Sequence, residues 1–286
     1  MSTTQEGAPT AETAPAARYP RHWEADVLLR DGRVAHLRPI SADDQELLVE
    51  FYEQVSAESK YLRFFAPMPR LSERDVLRFT HVDHRDRVAF VLTVANRMIA
   101  VGRFDRIPTE ESSDKSGGLV EAEVAFLVQD AHQGRGIAQL LLEHLAQAGR
   151  ERGVDRFVAE VLPENSRMIQ IFREAGYSVA GGFEDGVMRF EFSIDATDTS
   201  VNVMQAREHR AEAASIQNFF NAGSVAVIGA SRRQDTIGQT LVRNLVLGDF
   251  QGRVYVVNPA ADSVAGMPAY PTVADIPGDG LSLIHI

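Results

Sequence analysis

The stretch Gln133-Gly134-Arg135-Gly136-Ile137-Ala138 constrains this chain most. It follows an apolar run, Val124-Ala125-Phe126-Leu127-Val128, and opens a helical pattern that continues to about Arg152. A strand that breaks into a glycine-bearing loop at a helix start leaves the first N–H groups of that helix without intrahelical partners, and the helix dipole adds partial positive charge there. Glycine lets the backbone approach an anion without a Cβ in the way. The segment therefore reads as a loop for holding phosphate. It is not the G-x-G-x-x-G of a dinucleotide fold, and no Gly-Lys-Ser/Thr follows to make a P-loop. On spacing alone, an ordinary strand–loop–helix junction stays open as the plainer reading.

The rest of the chain supplies a sheet around this junction. Val27 to Arg30, Asp31-Gly32 and Arg33 to Leu37 read as a hairpin with a two-residue turn, ended by Pro39. Ser41, with Asp44 three residues on, can cap a helix carrying Leu47, Leu48, Phe51, Tyr52 and Val55. Further helices are expected over 58–65 and from Ser72. Strands follow at 88–94 and 98–104 around a turn at Asn96-Arg97, then a loop over 108–118. The strand 120–128 leads into the motif helix 137–152, whose apolar stripe is Ile137, Leu140, Leu141, Leu145 and Ala148. A strand at 156–162, a helix at 166–175 and an alternating strand at 187–194 complete the unit. The pattern reads as β-α-α-β-β-β-α-β-α-β, an α+β fold with a mixed sheet flanked by helices.

The boundaries expected are a tail over 1–18, a first domain over 19–195, a linker helix over 196–217 and a second domain over 218–280. In the last, Ser224 to Ile228, Gly229-Ala230-Ser231, a helix near 238–247 and the strand Arg253 to Val257 make one βαβ unit of a partial α/β Rossmann-like domain. Residues 281–286, Leu-Ser-Leu-Ile-His-Ile, resemble a translated transposon end used in sequencing libraries and are set aside as a scar, with a native strand as the alternative.

Composition removes several classes of function. A net charge of −11 argues against nucleic-acid binding. No apolar run approaches the length of a membrane span, and the tail has no apolar core to act as a signal peptide, so a cytoplasmic, soluble protein is expected. The chain has no cysteine, which excludes disulfides, cysteine-rich metal sites and a Cys acyl-enzyme. The histidines His36, His81, His84, His132 and His144 show no ligand spacing, so no metal is expected. Glu123 begins the motif strand. Spacing leaves it open between a general base and a solvated strand-edge glutamate, with Glu121 as a competitor; burial would make it the better base. Tyr61-Leu62-Arg63-Phe64-Phe65 is either core or the lining of an acceptor channel.

The segment 133–138 matches Q/R-x-x-G-x-G/A and so resembles the pyrophosphate-binding signature of the GNAT acetyltransferases. Trp23-Glu24-Ala25-Asp26-Val27, Leu37-Arg38-Pro39-Ile40, Ser59-Lys60-Tyr61-Leu62-Arg63-Phe64-Phe65, Ala122-Glu123-Val124-Ala125 and Arg207-Glu208-His209-Arg210-Ala211-Glu212 extend the likeness. Together they resemble actinobacterial Pat-type protein acetyltransferases, which join a GNAT domain to an NDP-forming acyl-CoA synthetase-like region. The resemblance covers residues 19–280. It implies a GNAT fold that takes acetyl-CoA as cosubstrate, with Gln133, Gly134, Arg135, Gly136, Ile137 and Ala138 at the pyrophosphate. Backbone N–H groups of Phe126 to Val128 would polarise the thioester, Asn165 would meet the pantetheine arm or cap the next helix, and Glu123 would be the base. An acidic tyrosine common in the superfamily falls on Phe172, so it is missing here. The implied acceptor is a protein lysine, in particular on an AMP-forming acyl-CoA synthetase, which acetylation switches off.

Val225 to Ser231 resembles the CoA-binding domain of NDP-forming acyl-CoA synthetases, which implies a second CoA site at Gly229, Ala230, Ser231 and Asn258. Asn258 stands where an NAD site needs an acid. A silent Rossmann fragment is the alternative, and ligase activity is not expected. Acetylation of a small amine and an acyl-CoA sensor are the competing functions.

Overall fold

The computed structural model describes residues 19–108, 119–220, 223–233, 236–248, 250–277 and 282–285. The tail expected over 1–18 and residues 109–118 of the expected loop lie outside the described residues. The chain divides into two compact units between Ala211 and Glu212.

The first unit holds β1 (Ala25–Leu28), β2 (Val34–Pro39), α1 (Gln45–Glu53), α2 (Ala57–Phe64), α3 (Glu73–Thr80), β3 (Arg87–Val94), β4 (Arg97–Arg106), β5 (Glu121–Val128), α4 (Ile137–Glu151), β6 (Arg156–Val161), α5 (Ser166–Glu174), β7 (Val179–Glu184) and β8 (Val187–Ser193). Helix α6 (Asp198–Phe220) follows. Its eight strands lie in the order β1-β2-β3-β4-β5-β6-β8-β7. Neighbours are antiparallel except β5 and β6, which run parallel because α4 crosses over between them.

Helices cover the sheet on both faces. The apolar stripe of α4 packs with Phe172 of α5 against Phe104, Val124, Phe157, Phe190 and Phe192. On the opposite face Leu48 and Phe51 of α1 pack against Ala89, Val91 and Leu127. Each large side chain fully buried here contributes about 1.5–3 kcal/mol. Gly102 of β4 has a packing reason to be glycine. A Cβ there would lie 3.1–3.2 Å from Phe126, Leu141 and Leu145, so its absence lets α4 settle close to the strand. Local signals start the helices. Ser56 accepts the N–H of Ser59 at α2, and Ser72 and Asp75 form a capping box at α3. Ser41 and Asp44 form the same box on the short turn before α1.

Three local expectations need correction. The first hairpin closes through three residues, Arg30, Asp31 and Gly32, because Leu29 already bonds to Arg33; Gly32 takes the positive φ of a bulged turn. The β3–β4 turn uses Ala95 and Asn96, both left-handed, rather than Asn96-Arg97. The strand β7 was not expected at all. Its residues Ala180, Gly181 and Gly182 carry no apolar alternation, and Asp185-Gly186 joins it to β8 through left-handed residues.

In the second unit β9 (Ser224–Ile228), α7 (Ile237–Leu247), β10 (Arg253–Val257), β11 (Ser263–Val264), β12 (Met267–Tyr270) and β13 (Ser282–His285) form a sheet in the order β11-β12-β10-β9-β13. Strands β12, β10, β9 and β13 are mutually parallel. Val225, Val227, Val242 and Val256 form its small core. Within the terminal segment set aside above, Ser282 to His285 pair in register with Val225 to Ile228.

Candidate active site

The site begins where a ladder ends. Strands β5 and β6 pair only through Glu121–Arg156, Ala122–Phe157 and Glu123–Val158. Both strands continue, to Val128 and Val161, with no further pairing between them. The backbone parity along β5 follows from its ends. Glu121 accepts from Ile107, and Gln129 donates to Ile99, so odd residues turn their N–H and C=O groups toward β4. Even residues turn theirs toward the gap. Phe126 and Val128 thus present N–H groups to the space where β6 has parted.

That space is a cleft of about 860 Å³, within the range of small-molecule sites. One end is the loop before α4. Gly134 and Gly136 have φ of 77° and 76°, left-handed values that favour glycine. Gly136 stands at the N-cap and has no side chain to offer, so no side chain caps the first turn of α4. Gly134, Gly136, Ile137 and Ala138 all line the cleft. Phosphate oxygens fit such a row of donors.

The side chains around the loop brace it. Gln133 donates to Ser59 Oγ at 3.1 Å and to the Val128 carbonyl at 3.3 Å, and accepts from Arg167 at 2.8 Å. Its amide is engaged with the protein. Asp130 accepts from the Ser56 N–H and from the Ser56 and Ser59 hydroxyls, each at 2.8 Å, which ties α2 to the end of β5. The Arg135 guanidinium lies 3.3 Å from Asp31 and is absent from the cleft wall, because the hairpin tip holds it outward, so the part of Arg135 in the loop falls to its backbone N–H. Asn165 lines the cleft while its Oδ1 caps α5 through the Met168 N–H at 3.2 Å, and its amide N–H groups remain for a ligand.

At the other end stands Glu123, at the last paired position before the strands part. It lines the cleft and is exposed, so the burial expected from sequence is not present. Glu121 is engaged by Arg156 and is absent from the cleft wall. Arg63 of α2 lines the cleft beside Glu123. Burial lowers its guanidinium to about 10, Arg103 adds to this and Glu123 opposes it, so Arg63 remains a cation at neutral pH. Leu62, Phe64 and Phe65 also reach the cleft, whereas Tyr61 does not. Phe172 is buried in the wall, stacked on Phe190, and no tyrosine lines the cleft. The lining carries six carboxylates, Glu58, Glu123, Asp130, Glu160, Glu164 and Glu174, against three guanidinium groups. The whole arrangement suits a long ligand with a diphosphate at one end and an extended arm along β5, next to a cationic second reactant.

Residues 35–178 match the family of the acetyltransferase (GNAT) domain. This chain belongs to the GNAT acetyltransferase family. The crystal structure of the GNAT domain of S. lividans PAT is 60% identical, covers 62% of this chain and 99% of that one, and superposes with a TM-score of 0.57. Acetyltransferase Pat of Mycolicibacterium smegmatis is 32% identical over 176 residues, 60% of this chain and 50% of that protein. Residues 223–286 match a CoA binding domain. There the chain is 42% identical over 64 residues to an ADP-forming acetate–CoA ligase of Archaeoglobus fulgidus, 22% of this chain and 10% of the ligase. The chain thus spans about half the length of the Pat protein and about a tenth of the ligase.

In the second unit Gly229, with φ of 85°, follows β9, and Ala230 is buried. Asn258 donates to the Ala230 carbonyl at 2.7 Å and accepts from Ala260 at 2.8 Å. Its side chain pins the loop and keeps one amide N–H outside these two bonds. Among the described residues no group of three or more His, Cys, Asp or Glu could hold a metal, and no helix is long and apolar enough to cross a membrane.

Proposed function

We propose that this chain moves an acetyl group from acetyl-CoA to the ε-amine of a protein lysine by direct transfer in a ternary complex. The observation that carries this reading is Glu123 at the mouth of the β5–β6 gap, on the wall of the cleft that the loop closes at its far end. The pyrophosphate would lie on the N–H groups of residues 134–138, and the pantetheine arm along the free even-numbered edge of β5. The Phe126 and Val128 N–H groups would polarise the thioester carbonyl.

Glu123 takes a proton from the lysine ammonium, whose neutral form otherwise costs roughly 4.6 kcal/mol near pH 7. The amine nitrogen attacks the carbonyl carbon, the C–S bond breaks, and the second amine proton passes to water. CoA leaves as a thiolate, which needs no protein acid near neutral pH; this agrees with Phe172 standing where the superfamily often has tyrosine. With no cysteine in the chain, no thioester relay is available. The acidic lining favours a cationic acceptor. The similarity to Pat proteins supports a protein lysine, with AMP-forming acyl-CoA synthetases as the proposed targets in the cytoplasm. The second unit would bind CoA or acyl-CoA through the loop 229–231 and report it to the first.

The test pairs calorimetry with labelled acetyl transfer to a lysate and to a purified acyl-CoA synthetase. Glu123→Gln is expected to bind acetyl-CoA like the parent and to lose about 10²–10⁴-fold in turnover. Parent-like turnover would remove Glu123 from the mechanism. Label confined to small amines would replace the protein acceptor.

A further inference from the structure

The hairpin β1–β2 is docked on the phosphate loop. The Arg30 N–H donates to the Arg135 carbonyl at 3.1 Å, and Asp31 lies 3.3 Å from the Arg135 guanidinium. Asp31 also lies 3.8 Å from Arg33. The acid of the hairpin tip is therefore shared by two arginines other than its neighbour. Arg30 itself has an exposed side chain with no ion pair among the described residues, and it lines the cleft. Its Nε lies 3.9 Å from the point that a Cβ on Gly136 would occupy, so the guanidinium stem passes directly over the N-cap of α4. His132 stands on the same lip, but burial and the nearby Arg135 lower its imidazole, so it adds no charge there at neutral pH. Arg167, the other cation on this side, is bonded to Gln133.

A lone, backbone-anchored cation outside a row of neutral N–H donors serves a second anionic group. On the reading above, the diphosphate would take its donors from the loop and the first turn of α4. We propose that Arg30 binds the 3′-phosphate on the ribose of the CoA nucleotide, making the β1–β2 hairpin the element that distinguishes CoA from its 3′-dephospho form. This rests on the CoA reading above. Charge also favours it: in a chain of net charge −11, an anion at the cleft mouth gains most from a fixed local cation.

The test is calorimetric titration of the full chain with CoA and with 3′-dephospho-CoA, for the parent, Arg30→Gln and Arg30→Lys. The parent is expected to prefer CoA by about 5–30-fold, the range of a charge-assisted hydrogen bond near a surface. Arg30→Gln should lose that preference by weakening CoA alone, and Arg30→Lys should keep part of it. Equal weakening of both ligands would place Arg30 on the diphosphate instead and overturn the proposal. So would an unchanged preference in Arg30→Gln. Absence of CoA binding in the parent would instead bring down the underlying cofactor reading, a distinct outcome.

Discussion

Gly136 shows how one residue serves the loop. Nothing crowds it: the nearest atoms to an added Cβ are on Arg30, at 3.9 and 4.0 Å. The constraint is its φ of 76°, which costs an L-residue about 1–2 kcal/mol. Gly136→Val is expected to lower stability by about that amount and to raise the dissociation constant for acetyl-CoA at least several-fold; calorimetry and urea unfolding check the two effects separately. His144 makes a different prediction. Burial, with Arg207 adding, lowers its imidazole from 6.5 to about 4, so it is neutral in the fold. The unfolded chain takes up a proton below about 6.5, so the stability contributed by neutral His144 is full above that pH and is lost as pH falls toward 4. The expected loss is of order 1–3 kcal/mol. Denaturant curves at pH 7.5 and 4.5 for the parent and His144→Leu check this: the variant should show the smaller decline.

Elements are joined by a few well-placed polar contacts. Arg207 of α6 bonds Glu143 of α4 through Nε at 2.9 Å and Nη2 at 2.8 Å, with side-chain exposures of only 10% and 12%. Glu143 in turn accepts from Gln139, which lines the cleft. Arg207→Met would leave a carboxylate buried without its cation, a loss of about 2–4 kcal/mol, and adding Glu143→Gln should recover much of it. Urea unfolding of the two singles and the double variant measures the coupling. A double no more stable than Arg207→Met would mean that the pair does not act as a unit. Most of these elements were legible in the sequence. The stripe from Ile137 to Ala148 and the helix starts at Ser41 and Ser72 are local signals that the structure repeats. Strand β7 was missed because Gly181 and Gly182 carry no pattern; its Asp185-Gly186 turn was the available sign.

At the scale of the molecule, the division near Ala211 and the two domain matches make a separable design testable. A GNAT domain similar to the first unit has been crystallised as a chain that this one covers almost entirely. Deleting residues 218–286 is expected to leave a folded unit with one acetyl-CoA site and measurable transfer, and to remove one CoA equivalent from the stoichiometry. Equal stoichiometry before and after would make the second unit a silent fragment. The sequence by itself determined the glycine loop before α4, the α+β order, the Rossmann-like second unit and the exclusion of cysteine chemistry, because each is written in neighbouring residues. Only the tertiary structure decided that the Arg135 side chain turns away to Asp31, that Gln133 and Asn258 brace their loops, that Glu123 is exposed at the parting of β5 and β6, and that Arg30 arrives at the loop from about a hundred residues earlier in the chain. Those placements depend on which strands pair and where pairing stops, and no local pattern encodes a contact made across the fold.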